Sequence, residues 1–191
     1  MHSHFQQGEL SPAIFLDRDG VIVQNRDEYI RSWEDVHFLP GALQALSQAK
    51  SAPFRFVIVT NQSAVGRGLV DPQVAEAINR RVVATIRSAG GRIDGVYMCP
   101  HPPEQDCDCR KPKPGLLLQA ARELELDLGA SVLIGDALTD ILAGRAAGVG
   151  EVELVLTGRG REQLETPQAE SLRPFRVFPD LTQALHSRLQ R

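Results

Sequence analysis

Cysteine is scarce and confined: three thiols in 191 residues, Cys99, Cys107 and Cys109, all fall within eleven positions. A disulfide framework spreads its staples along the chain, so these three are expected to be ligands rather than staples. Basic clusters are missing too. The formal net charge is −3 and no run of lysine and arginine exceeds a few residues, which argues against nucleic acid or an anionic membrane as partner and leaves a small-molecule substrate. No apolar run approaches the ~20 residues that span a bilayer. The start, Met1-His2-Ser3-His4-Phe5-Gln6-Gln7, lacks the basic and apolar regions of a signal peptide, so the expected location is cytoplasmic. His2 and His4 are assigned no role. With no Ser/Gly- or Pro-rich linker, no repeat and no low-complexity tract, residues 1–191 are expected to form a single domain, and a monomer.

The chain is organised around Ala13-Ile14-Phe15-Leu16-Asp17-Arg18-Asp19-Gly20. Four apolar residues read as a short buried strand, closed by two acids and a glycine free to adopt turn dihedrals. Two carboxylates at the end of a buried strand lose water and repel each other unless a cation neutralises them, and a divalent metal is the simplest remedy.

Further strands are expected over residues 54–60, 96–99, 131–136, 152–156 and 175–178. Helices are expected over 40–51, 71–90, 114–126, 139–147 and 181–189. Asp71-Pro72 is a clear helix start, and Val74, Ile78, Val82 and Ile86 mark its buried stripe. Residues 21–39 show no sustained period and read as a loop or short hairpin over the strand ends, where a flap would act. Strands alternating with helices predict an α/β fold: a doubly wound, mostly parallel, Rossmann-like sheet with its polar strand ends on one edge.

That edge would collect Asp17 and Asp19, Thr60 and Asn61, Arg110 and Lys111, and Asp136 and Asp140. Each alone has a bland explanation as a turn, a cap or a solvated charge. Together, acids, a strand-end hydroxyl and a fixed lysine are what phosphoryl transfer through an aspartyl phosphate requires. A receiver-type phospho-acceptor module shares much of this set, but has no need of a second acid two residues after its acceptor. A zinc-stabilised binding module without turnover would leave the acids unexplained.

The motifs Phe-Leu-Asp-Arg-Asp-Gly, Val-Thr-Asn-Gln-Ser, Cys-x-Cys-Arg-Lys-Pro and Ile-Gly-Asp resemble the haloacid dehalogenase superfamily of phosphatases, over residues 14–155. Within it the resemblance runs to the branch acting on heptose bisphosphates, with the histidinol-phosphate branch next. It implies Asp17 as nucleophile and Asp19 as general acid/base. Thr60 and Lys111 would stabilise the transferring phosphoryl group, and Arg110 would contact substrate. Asp136 would bind catalytic Mg²⁺ together with the Asp17 carboxylate and the Asp19 main-chain carbonyl, with Asp140 orienting a water or the lysine behind them. The stretch Asn61-Gln62-Ser63-Ala64-Val65-Gly66-Arg67-Gly68 places Asn61 and Arg67 on the substrate side. Two departures stand out: Ala137 where relatives often carry a basic residue, and Val21 where many carry threonine.

Cys99-x-His101-x₅-Cys107-x-Cys109 supplies three thiolates and an imidazole, the donor set of a closed, structural zinc site. Its expected task is to fold a proline-rich loop over residues 99–109 and so place Arg110 and Lys111. Relatives with such a loop lack a separate cap domain.

Overall fold

The computed structural model describes residues 10–190; His2 and His4 lie outside the described residues. Six strands, β1 (Ser11–Leu16), β2 (Arg55–Asn61), β3 (Gly95–Cys99), β4 (Leu126–Gly135), β5 (Glu151–Val155) and β6 (Arg176–Phe178), form one sheet. Its order is β3-β2-β1-β4-β5-β6 and every pairing is parallel. The expected doubly wound α/β fold is therefore what the chain adopts. The helices are α1 (Ala42–Gln48), α2 (Ser63–Gly66), α3 (Pro72–Ser88), α4 (Gly115–Leu124), α5 (Leu138–Ala147), α6 (Gly160–Leu164), α7 (Pro167–Ser171) and α8 (Leu181–Leu189).

A strand points alternate side chains to opposite faces, so a sheet buried on both sides needs apolar residues at every position. In β1, Ile14 and Leu16 enter a core that includes Leu46 of α1, Ile78, Val82 and Ile86 of α3, and Leu185 of α8. Ala13 and Phe15 enter the other, with Leu117 of α4 and Ile141 of α5. Successive connections run outward from β1 to β3 on one side and from β4 to β6 on the other. The crevice that a parallel sheet opens at such a reversal lies at the carboxyl ends of β1 and β4.

Three local differences from the sequence expectation have identifiable causes. Glu125 adopts the left-handed region at φ 53°, so α4 stops at Leu124 and β4 begins at Leu126, well before the expected residue 131. Asp127 and Gly129 give that first half a loop-like composition, yet Ser11 and Pro12 pair with it across a register shift. Val74 is exposed rather than buried, because it lies in the first turn of α3 beyond the edge of the core. The helices α2, α6 and α7 are too short for any apolar period to reveal them. Residues 21–39 are irregular, as expected, with one 3-10 turn at Trp33–Asp35. Their root is firmly held, since Val21, Ile22 and Val23 are all fully buried.

Candidate active site

Asp17 leaves the carboxyl end of β1, Asp136 the end of β4, and Asp140 sits in the first turn of α5. One carboxylate oxygen from each lies within 4.8 Å of the other two. Lys111 reaches this floor from the loop after β3. Its Nζ stands 3.1 Å from Asp17 Oδ1 and 2.6 Å from Asp140 Oδ1, and donates to the Val59 carbonyl at 2.8 Å. Only 2% of the Lys111 side chain is exposed. Burial works against its charge, but Asp140 and Asp17 outweigh burial and hold its pKa above the ordinary lysine range. Asp17 is pushed up to about 7, first by burial, against the pull of Lys111 and with the push of Asp140, Asp136 and Asp19. Three carboxylates around one ammonium leave an excess of negative charge, which adds to the effect of burial on Asp17.

Asp136 is wholly buried and its two oxygens differ. Oδ2 accepts from Asn25 Nδ2 at 2.6 Å and from the Arg159 backbone N–H at 2.9 Å. Oδ1 is buried with no hydrogen-bond partner among the described residues. An orphaned buried carboxylate oxygen is costly unless a cation meets it. The backbone of two glycines closes around this acid: a Cβ on Gly20 (φ 85°) would stand 2.1 Å from Asp136 Oδ2, and one on Gly158 (φ 57°) 2.3 Å from it. Burial, then Asp140, raises the Asp136 pKa, while the Arg159 N–H, the Arg159 charge and Asn25 oppose them. Hard carboxylate donors and an excess negative charge suit a hard divalent ion, so Asp17 and Asp136 fit Mg²⁺.

Asp19 stands apart from that trio. Its carboxylate is gripped by the Arg18 guanidinium, Nε to Oδ1 at 3.1 Å and a terminal nitrogen to Oδ2 at 2.9 Å, and by Gln62 Nε2 at 2.7 Å. Arg18, itself buried, is anchored on Asn79 of α3 at 2.7 Å. The same Gln62 amide donates to Thr60 Oγ1 at 2.9 Å, so the second acid and the strand-end hydroxyl share one donor. Asn61 turns its amide onto the main chain of Lys111, donating to its carbonyl at 3.0 Å and accepting from its N–H at 3.2 Å. That pair of bonds ties the end of β2 to the lysine segment, whose Lys111–Pro112 peptide is cis.

Asp17, Asp19, Asn61, Arg67, Arg110 and Lys111 all line one cleft of about 440 Å³. Arg110 reaches Ser63 Oγ at 2.8 Å and the His101 carbonyl at 3.0 Å, while Arg67 pairs with Glu104 at 2.8 Å. Thr60, wholly buried, lies beneath Gln62. Sequence reasoning missed Asn25 and Arg159, which close over Asp136 from the loops after β1 and β5. The only sequence signal for the latter was Thr157-Gly158, a polar turn directly after a strand; Thr157 Oγ1 donates to the Gly20 carbonyl at 2.6 Å.

The three cysteines and His101 meet as one cluster. Sulfur–sulfur distances are 3.1, 3.4 and 3.5 Å, and His101 Nδ1 lies 3.3 Å from Cys109 Sγ and 3.6 Å from Cys99 Sγ. These separations exclude disulfides. They approach the edge of about 3.8 Å expected of a tetrahedron built on zinc–sulfur bonds of roughly 2.3 Å. Three soft donors and one imidazole, converging from a strand end and a loop, fit zinc with no position left over for substrate.

Known proteins resemble this chain in both sequence and shape. The family model for haloacid dehalogenase-like hydrolases matches residues 8–145, and a second, HAD-hydrolase-like, matches residues 108–184. A D-glycero-beta-D-manno-heptose-1,7-bisphosphate 7-phosphatase of Bordetella bronchiseptica is 40% identical over 79% of this chain and 84% of its own. The protein of that name from Escherichia coli K12 is 39% identical over 91% and 93%. The crystal structure of the D,D-heptose 1,7-bisphosphate phosphatase from B. bronchiseptica, complexed with magnesium and phosphate, superposes with a TM-score of 0.86 at 38% identity. It covers 94% of this chain and 98% of that one. A D,D-heptose 1,7-bisphosphate phosphatase from Burkholderia thailandensis gives 0.71 at 32% identity, covering 94% and 99%. The chain belongs to the haloacid dehalogenase superfamily and is one of its phosphatases.

Proposed function

We propose that this chain is a Mg²⁺-dependent phosphomonoesterase that removes the C7 phosphate of D-glycero-D-manno-heptose 1,7-bisphosphate through an aspartyl-phosphate intermediate. The observation that carries the chemistry is the buried floor: Lys111 shared between Asp17 and Asp140, opposite the orphaned oxygen of Asp136. The Asp17 carboxylate attacks phosphorus in line with the leaving oxygen. Lys111 and the Thr60 hydroxyl hold phosphoryl oxygens as charge shifts in the transition state. Asp19 leaves Gln62, protonates the departing sugar oxygen, and then takes the proton of the water that opens the acyl phosphate. Asp140 fixes the Lys111 ammonium against the floor. Magnesium, held by Asp17 and Asp136 with the Asp19 main-chain carbonyl, supplies neutralisation of the carboxylate and phosphate charges so that the two anions can meet. Zinc on Cys99, His101, Cys107 and Cys109 is structural, and holds Arg110 and Lys111 at the mouth and floor.

The substrate assignment is supported by the heptose phosphatases of similar sequence. It is also supported by the segment 61–68, which carries a cation at Arg67 where a cationic substrate such as histidinol phosphate would call for acidity. Arg67 and Arg110 present guanidinium groups, whose geometry suits oxygen-rich anions. The same reading makes the chain a single-domain monomer of cytoplasmic metabolism; no helix among the described residues is long and apolar enough to cross a membrane. Phosphate release with Mg²⁺, measured over heptose bisphosphate, other sugar phosphates and histidinol phosphate, tests it. The expected result is the highest kcat/KM on the heptose bisphosphate, and a tenfold preference for histidinol phosphate overturns it.

A further inference from the structure

The cleft carries several cations, and they are not equally committed. Arg67 is paired with Glu104, Arg110 with Ser63 and the His101 carbonyl, and Arg26 with Asp35 at 3.5 Å. Lys111 is sealed into the floor. Arg159 differs: its backbone N–H is bound to Asp136, its Nε stands 3.7 Å from the same carboxylate, and neither terminal guanidinium nitrogen has a hydrogen-bond or ion-pair partner among the described residues. Its side chain is 59% exposed, whereas Asp136 beneath it is wholly buried. The guanidinium therefore stands at the mouth, above the reacting atoms. Its base is rigid, because Gly158 packs on Gly20 and Thr157 bonds the Gly20 carbonyl.

We propose that Arg159 is a substrate-binding residue that takes the second phosphate of the substrate, the one not transferred, as a bidentate partner. An arginine planted beside buried acids with both terminal nitrogens free is a fork awaiting an anion, and a phosphate dianion matches its geometry and charge. The reacting phosphoryl group is already served by Lys111 and Thr60 below. The neutral, hydroxyl-rich body of a sugar would not need a full cation, whereas a second phosphate does. This inference rests on the bisphosphate reading above, and assigns the residue that distinguishes a bisphosphate from a monophosphate.

The test compares wild type, Arg159→Gln and Arg159→Lys on heptose 1,7-bisphosphate and on heptose 7-phosphate, with Mg²⁺ activation curves for each protein. Side-chain substitution leaves the backbone bond to Asp136 in place, and thermal unfolding checks that the variants fold. Wild type should favour the bisphosphate. Arg159→Gln should raise KM for the bisphosphate at least tenfold with kcat changed less than threefold, erase most of that preference, and be partly rescued by Arg159→Lys. If wild type shows no preference for the bisphosphate, the bisphosphate reading and this inference fall together. If the preference exists and survives Arg159→Gln, this inference alone falls. An equal loss on both substrates with a shifted Mg²⁺ requirement also overturns it, because Arg159 would then serve only to neutralise Asp136.

Discussion

Replacing Lys111 with methionine keeps most of the buried aliphatic stem and deletes the one charge that Asp17 and Asp140 share. With Nζ at 3.1 and 2.6 Å from the two carboxylates and the lysine side chain buried, Asp140 has no water to turn to and Asp17 only the little that its edge on the cleft admits. Breaking a buried pair by removing one partner costs about 3–5 kcal/mol, because an uncompensated charge remains. For a chain of this length each kcal/mol moves Tm by roughly 2–4 °C, so the expected drop is on the order of 6–20 °C. Protonation of Asp17, whose pKa already stands at about 7, offers an escape, which gives the effect a signature that lost packing would not have. The penalty should be largest near pH 8 and shrink towards pH 5. Thermal unfolding by circular dichroism, in magnesium-free buffer without chelator so that any metal on the cysteine–histidine cluster stays bound, reads this directly. Lys111→Met/Asp140→Asn should recover part of the loss, since one of the two stranded acids is gone. A Tm within 2 °C of wild type, or a drop that does not change with pH, would refute the reasoning.

The other expectations are simpler. Asp17→Asn should abolish turnover, while Asp19→Asn should lose roughly the 10²–10⁴ typical of general acid/base catalysis in a phosphate-release assay; normal turnover by Asp17→Asn removes the mechanism. The folded-state pKa of Asp17, about 7 against an ordinary 3.8, is raised, so its stabilising contribution is full below pH 4 and is lost as pH rises through 7. Relative to Asp17→Asn, the metal-free wild type should therefore lose stability between about pH 4 and 7, and saturating Mg²⁺ should flatten that difference; no difference in slope would sink the assignment. Purified protein should hold about one zinc per chain, following its single four-ligand cluster, and Cys109→Ser should lower zinc content and thermal stability together. Undiminished zinc in that variant, by elemental analysis, would show that the cluster is not the site.

Much of the fold was legible because the sheet is buried on both faces. A strand such as β1 must then be apolar at every position, and such runs ending in polar residues are visible without any alignment. The start of α3 was equally plain, since Asp71 caps Gln73 N–H at 2.7 Å directly before the proline. The end of α4 was not, because a glutamate in the left-handed region carries no signal of its own. Site residues on the strand ends were legible for the same reason as the strands. Asn25 and Arg159 were not, since each comes from a loop whose path is set by tertiary contacts; their roles appear only when both arrive at Asp136 Oδ2.

The spacing Asp17-Arg18-Asp19 invites the inference that one metal ion must sit between two repelling acids, and the geometry divides that task differently. Arg18, buried and anchored on Asn79, supplies Asp19 with a cation from within the motif. Lys111 supplies Asp17 with another, from a segment that follows the cysteine–histidine cluster and is tied down by Asn61. What stays uncompensated is the pair Asp17 and Asp136, joined to Asp140 in one cluster, with an oxygen of Asp136 left bare. A divalent ion is thus called for across two strands rather than within one turn. Asp19, with its carboxylate held by Arg18 and Gln62 rather than by the acid cluster, is thereby left for the proposed role of proton carrier to the leaving oxygen. The proposed separation of nucleophile from acid/base follows from which cation each carboxylate meets, more than from the single residue of sequence between them.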